Sequence, residues 1–140
     1  MEVQSDDKGR VLLPVRWRVQ FAQGGFLCPG WDGCLFLFPA SRWRQHIETL
    51  ATYDELEDPR GVRLQRFFGT GQDVRVDPQG RILLPAKLTE LVGIGREVRL
   101  CGAITRLEVW SPDAWRRYQG EQLRSDRMMA QVEGAGQPQP

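Results

Sequence analysis

The string "DPQGRILLPAKL", residues 77 to 88, has an earlier near-twin in "DDKGRVLLPVRW", residues 6 to 17. Both read D-x-x-G-R-[IV]-L-L-P, and the copies stand 71 residues apart. A second correspondence extends the first. "LFLFPASRW" (35 to 43) and "LEVWSPDAW" (107 to 115) each give an alternating apolar stretch, a turn with Pro and Ser, then Trp, 72 residues apart. One small insertion or deletion reconciles the two spacings. The 140-residue chain therefore divides into two related halves, 1–50 and 72–118, with a linker at 51–71. Residues 119–140 end in Gly, Gln and Pro and read as a flexible C-terminal tail.

The order of elements inside each half follows from periodicity and turn chemistry. "DVRV" alternates as a strand does. "DPQG" has the residue preferences of a type I turn, and a Gly at positive φ would close a hairpin onto "RILLP". Pro85 suits the first position of a helix, with Leu88, Leu91 and Val92 at helical spacing and Gly93 as its stop. The first half repeats this pattern, with Trp17 and Phe21 at i, i+4. Two further strands follow in each half, "GFLC" and "CLFLF", then "EVRLC" and "RLEVW". A last helix begins near Ser41 and near Ser111, each placed as an N-cap. The linker's "RGVRLQRFF" gives one more helix. Each half is thus β-β-α-β-β-α. The fold class is mainly β with short helices, α+β, arranged as a small twisted barrel.

Charge and cysteine content narrow the function classes. The net charge is +1, but the charges are segregated. Lys8, Arg10, Arg16 and Arg18 form a run without an acid, and Arg60, Arg63 and Arg66 form a second basic group. Between the basic groups, "ETLATYDELED" carries five acids. Such segregation fits an oriented binding surface and equally fits a solvated, salt-bridged one. Apolar runs are too short for a membrane span, and no basic stretch leads into an apolar one as in a signal peptide. Cys28, Cys34 and Cys101 make no disulfide framework, so a reducing cytoplasm is expected.

Within the motif, Asp and Arg are the informative pair. Asp6 and Asp77 can accept turn N–H bonds, and Gly9 and Gly80 supply the turn. An Asp four residues before Arg10 or Arg81 can brace the guanidinium and leave spare donors outward. A stiffly held guanidinium at a hairpin tip suits phosphate or guanine edges. The same pair could simply lock the hairpin, and residue chemistry alone leaves both readings open.

"DDKGRVLLPVRWR", "WDGCLFLFPASRW", "RFFGTGQDVRVDPQGRILLPAKL" and "RLEVWSPDAW", in this order, resemble the MraZ family of bacterial transcriptional regulators. The resemblance covers residues 1 to about 118. It implies two tandem swapped-hairpin β-barrel repeats of the AbrB type in one compact subunit. It also implies ring-like homo-oligomers on repeated promoter boxes of double-stranded DNA. The family sites lie ahead of the cell-division and cell-wall gene cluster, usually for repression, which makes the expected protein cytoplasmic and nucleoid-associated. The family signature falls on Asp6 with Arg10, and on Asp77 with Arg81. DNA contacts are then expected from Lys8, Arg10, Arg16, Gln79, Arg81 and Lys87, with Asp6, Gly9, Asp77 and Gly80 bracing the motif. Two departures stand out. Only Met1 to Ser5 precede Asp6, which would leave the first half-barrel open at one edge, and "CPGWDG" suggests a loop of different shape.

Rival chemistries find little support. A zinc site from Cys28, Cys34, Cys101 and His46 has the wrong spacing, so neither metal nor cofactor is expected. "GTGQDV" precedes a strand where a dinucleotide loop would follow one. No acid–base pair assembles for catalysis, so an enzyme is not expected. The Trp residues could stack bases, although those recurring in both halves suit core or interface packing. An antitoxin-like protein-interaction module, wrapping a partner with the tail, is the alternative to a DNA-binding regulator.

Overall fold

The computed structural model describes residues 1–136, with side chains to Met128. Its order of elements follows the expected repeat. The first half gives β1 (Glu2–Gln4), β2 (Arg10–Leu12), α1 (Val15–Arg18), β3 (Gly25–Pro29), β4 (Leu35–Pro39) and α2 (Ala40–Leu50). The linker contributes α3 (Pro59–Gly69). The second half gives β5 (Gln72–Val74), β6 (Arg81–Leu83), α4 (Ala86–Leu91), β7 (Glu97–Gly102), β8 (Leu107–Trp110) and α5 (Pro112–Gly136).

The pairing of these strands is not local. A six-stranded sheet runs β1-β7-β8-β4-β3-β5, and a two-stranded ribbon pairs β2 with β6. β1 of the first half pairs antiparallel with β7 of the second, Val3 opposite Val98. β5 of the second half pairs with β3 of the first, Phe26 opposite Asp73. The two halves therefore exchange strands, as expected of swapped hairpins. The simple hairpin that the motif suggested, "DVRV" folded back on "RILLP", is not formed. The turn itself closes, with the Asp77 amide donating to the Arg81 carbonyl at 2.8 Å and the Gly80 amide to Asp77 at 2.9 Å. The strands then diverge to partners in the other half, β6 to β2 and β5 to β3.

The core explains the exchange. Val11, Leu13, Ile82 and Leu84 of the two motif segments meet Leu27, Leu35, Leu37, Val98, Leu100 and Leu107 in one buried cluster. A smaller cluster of Phe36, Phe38, Trp110 and Ala114 fills the opposite face of the sheet. Strand alternation produces this division, since Leu35 and Leu37 point one way and Phe36 and Phe38 the other.

Several local expectations change in detail. Pro14 and Pro85 are N-cap residues, one position before the helix, with no side-chain cap. Ser41 caps nothing, because α2 begins at Ala40 behind Pro39. Ser111 does cap, its Oγ accepting from the Ala114 amide at 3.0 Å. The N-terminal segment also forms a strand after all. β1 is three residues long, as is β5, its counterpart in the other half. α5 runs on past Tyr118 to Gly136, so residues expected as tail are helical there, and residues 119–128 are exposed all round. The tail expectation for residues 137–140 lies outside the described residues. "CPGWDG" forms a short 3-10 turn at Trp31–Gly33, with Asp32 at a positive φ of 65°. No described helix is long and apolar enough to cross a membrane.

Candidate nucleic-acid interface

The two motif copies meet in the β2–β6 ribbon. Its register sets Arg10 opposite Leu83, Val11 opposite Ile82 and Leu12 opposite Arg81. Val11 and Ile82 point into the core, so Arg10, Leu12, Arg81 and Leu83 share the outward face. Leu12 and Leu83 are 46% and 49% exposed, which leaves an apolar strip between two arginines. Because the strands are antiparallel, the 6–10 turn lies beside α4 and the 77–81 turn beside α1.

Each turn is held by its own Asp. The Lys8 and Arg10 amides both donate to Asp6 Oδ1 at 2.9 Å, and Arg10 Nε donates to Asp6 Oδ2 at 2.7 Å. The second copy repeats the pattern. The Gln79 and Arg81 amides donate to Asp77 Oδ1 at 2.9 Å, and Arg81 Nε to Asp77 Oδ2 at 3.0 Å. These bonds hold both carboxyls below their ordinary range, the Arg10 and Arg81 backbone amides contributing most. The copies then join. Arg81 Nη1 reaches Asp6 Oδ2 at 3.5 Å, and Arg81 Nη2 approaches Gln79 Oε1 at 3.4 Å. Asp6 thus bridges the arginines of both halves.

The other expected contact residues fall around this centre. Lys8 and Gln79 are exposed on the turns. Arg16 and Lys87 are exposed on the first turns of α1 and α4, one beyond each end of the ribbon. Gly9 and Gly80 take φ of 80° and 83°, as the turns require. Arg18, the last cation of the basic run, is placed by the fold and not by the motif. Its Nε donates to the Leu13 carbonyl at 3.0 Å, and its guanidinium lies over Gly80, where a Cβ would come within 2.6 Å. The second half has Thr89 at the equivalent position, so the 77–81 turn carries a cation that the 6–10 turn lacks. The signal was a contact between residues 62 positions apart, which no local pattern contains.

Other chemistries are poorly served. Among the described residues no cluster of three or more His, Cys, Asp or Glu could hold a metal ion. Burial pushes the Cys28 thiol up to about 12 and raises Cys34 as well, which removes their thiolates at neutral pH. Trp17 and Trp110 are core residues, and Trp43 and Trp115 pack against the smaller cluster.

A family comparison meets this geometry across nearly the whole chain. The model of the MraZ protein, described as antitoxin-like, matches residues 1–64 and 67–135. The chain belongs to the MraZ family. It is 34% identical to the transcriptional regulator MraZ of Caldicellulosiruptor bescii over 94% of this chain and 92% of that one. It is 38% identical to the regulator of the same name in Heliobacterium modesticaldum, over 81% of this chain and 79% of its relative. The protein from Lachnoclostridium phytofermentans, also named transcriptional regulator MraZ, is 34% identical over 79% and 77%. MraZ relatives are named as regulators and not as enzymes, and the chain is not an enzyme. The two matched segments fall on the two β-β-α-β-β-α repeats.

Proposed function

We propose that the chain is a sequence-specific DNA-binding transcriptional regulator. In this reading it represses the cell-division and cell-wall gene cluster, binding repeated promoter boxes of double-stranded DNA as a ring-like homo-oligomer in the nucleoid. The observation that carries the reading is the two-stranded ribbon with its Asp-braced arginines on one outward face. A two-stranded β-ribbon fits the major groove, and guanidinium groups are the commonest readers of guanine edges. Arg10 and Arg81 are assigned to base edges, with Lys8 and Gln79 beside them. Arg16 and Lys87 are assigned to phosphates at the two ends of the ribbon, and Arg18 adds a cation on one side. Asp6 and Asp77 orient the arginines and stay off the DNA, since an unpaired carboxylate there would face phosphate charge. The names of the relatives support a role in transcription.

The test is selection from a random genomic fragment library, followed by sequencing of the bound fragments. Enrichment of a spaced, repeated box is expected, and it should vanish for a folded Arg10→Ala, Arg81→Ala double variant. Enrichment unchanged in that variant would move recognition off the ribbon. No enrichment at all with the unaltered protein would shift the reading to the antitoxin-like protein-interaction module.

A further inference from the structure

A pocket of about 410 Å³ opens on the face of β4 away from the ribbon. Phe36 and Phe38 form its floor, and Trp43, Leu64 and Phe68 its walls. Its size falls in the range of roughly 300–1,000 Å³ typical of small-molecule sites. The internal repeat shows that this space is not simply what the fold leaves behind. The positions matching Phe38, Arg42, Trp43 and His46 in the second half are Trp110, Ala114, Trp115 and Tyr118. There the equivalent side chains pack on one another, Trp110 edge-on to Trp115 at 5.3 Å between ring centres and tilted against Tyr118 at 5.2 Å, with Ala114 buried. In the first half a guanidinium and an imidazole replace the methyl and the phenol, and α3, which has no counterpart, supplies the far wall.

The polar groups select the occupant. Arg106 is already satisfied. Its Nε and Nη2 donate to Glu108 Oε2 at 3.1 and 2.6 Å, and its guanidinium lies 4.7 Å over Phe36. Arg42 carries no such partner. Its Nη1 donates to the neutral Gln45 Oε1 at 3.0 Å, and among the described residues no carboxylate lies within ion-pair distance of it. A cation without a counter-charge leaves its outward N–H groups for an anion. None of the described side chains lining the pocket is acidic. Desolvation, then the Arg42 and Arg106 charges, push His46 down from 6.5, so its imidazole is neutral near pH 7 and adds a polar handle without a second charge.

We propose that this pocket binds a small amphiphilic anion: a flat apolar body against Phe36, Phe38 and Trp43, with one acid group accepting from Arg42. One uncompensated cation matches one negative charge. The aromatic walls match a ring system better than a sugar or a polyphosphate. The site is separate from the DNA-binding reading, because Phe36 and Phe38 face away from the core residues that carry the ribbon.

Two probes of nearly the same shape test the proposal in the full-length protein. One is 8-anilinonaphthalene-1-sulfonate, a monoanion; the other is N-phenyl-1-naphthylamine, which lacks the charge. Calorimetry should show one saturable site per chain for the sulfonate. Arg42→Gln should weaken the sulfonate about tenfold, the scale of one charge-assisted hydrogen bond, and leave the neutral amine unchanged. Thr49→Phe, which places a ring at the exposed mouth, should exclude both probes while the thermal melt stays intact. Equal loss of both probes in Arg42→Gln, or no saturable binding of the sulfonate, overturns the proposal. Binding that weakens as the protein is concentrated overturns it too, because a second copy would then cover the groove.

Discussion

Arg10 and Arg81 occupy the same place in the same motif, yet they are held differently. Arg81 touches Asp77, Asp6 and Gln79, whereas Arg10 is bonded to Asp6 alone through its side chain. Either Arg→Ala change should cost about 1–3 kcal/mol of specific DNA binding if the side chain reads a base. Arg81→Ala should also lower the melting temperature more than Arg10→Ala, since it alone breaks the pair between halves; equal melts would show that pair to be idle. Asp77→Asn keeps the amide acceptor but loses the charge, and should reduce specificity more than non-specific affinity in a salt titration. The carboxyls also predict a pH dependence. Their folded pKa values lie below 3.8, so the stability they contribute is complete well above that pH and is lost as pH falls through the lowered values. An Asp6→Asn, Asp77→Asn protein should therefore show a shallower acid limb in melts from about pH 5 to about pH 2. An unchanged limb would place acid sensitivity elsewhere. The turn glycines give a paired comparison. Gly9→Ala and Gly80→Ala each incur about 1–2 kcal/mol for left-handed backbone. Only Gly80→Ala must also displace Arg18, so it should be the more destabilised in urea; a reversed order would deny that contact in solution.

At the level of elements, the ribbon is one of four strand pairings that join the halves, with β1–β7, β3–β5 and β4–β8. Ile82 is 1% exposed at its centre, opposite Val11, and Ile82→Ala should cost about 2–5 kcal/mol. Because β1 and β5 are exchanged, the loss should appear in one cooperative transition; two separated transitions would mean that the halves unfold independently. The elements themselves were readable because their signals are local. The Asp of each turn binds amides two and four residues away, and the strands follow from alternation of apolar side chains. Partners were not readable from periodicity, which says which face a strand buries and not against what. β5 alternates as well beside β3 as it would beside β6. Ser41 failed as a cap and Ser111 succeeded because the cap position the two helices share holds Pro39 in one half and Ser111 in the other, which leaves Ser41 two residues past the cap. Arg18 over Gly80 and the pocket beneath α3 both join distant segments, and neither leaves a mark on any short stretch of sequence.

For the molecule as a whole, one ribbon offers only a handful of base contacts, which leave little after the costs of association. Several ribbons in one closed particle would gain roughly 10²–10⁴ in affinity by acting together. Sedimentation should thus find a homo-oligomer larger than a dimer, and DNA with two or three boxes should bind far more tightly than DNA with one. A monomer indifferent to box number would sink the ring. The exchange of strands has a further consequence, for the ribosome. Val3 cannot pair until Val98 has been made, and Met1 waits for Leu100. At about 5–20 residues per second, β1 stays unpaired for roughly 5–20 s and β2, which waits for β6, for roughly 4–14 s. Through that interval the edges of the nascent first half are open to any other growing chain on the same messenger, so the rate of translation bears on whether each copy closes upon itself.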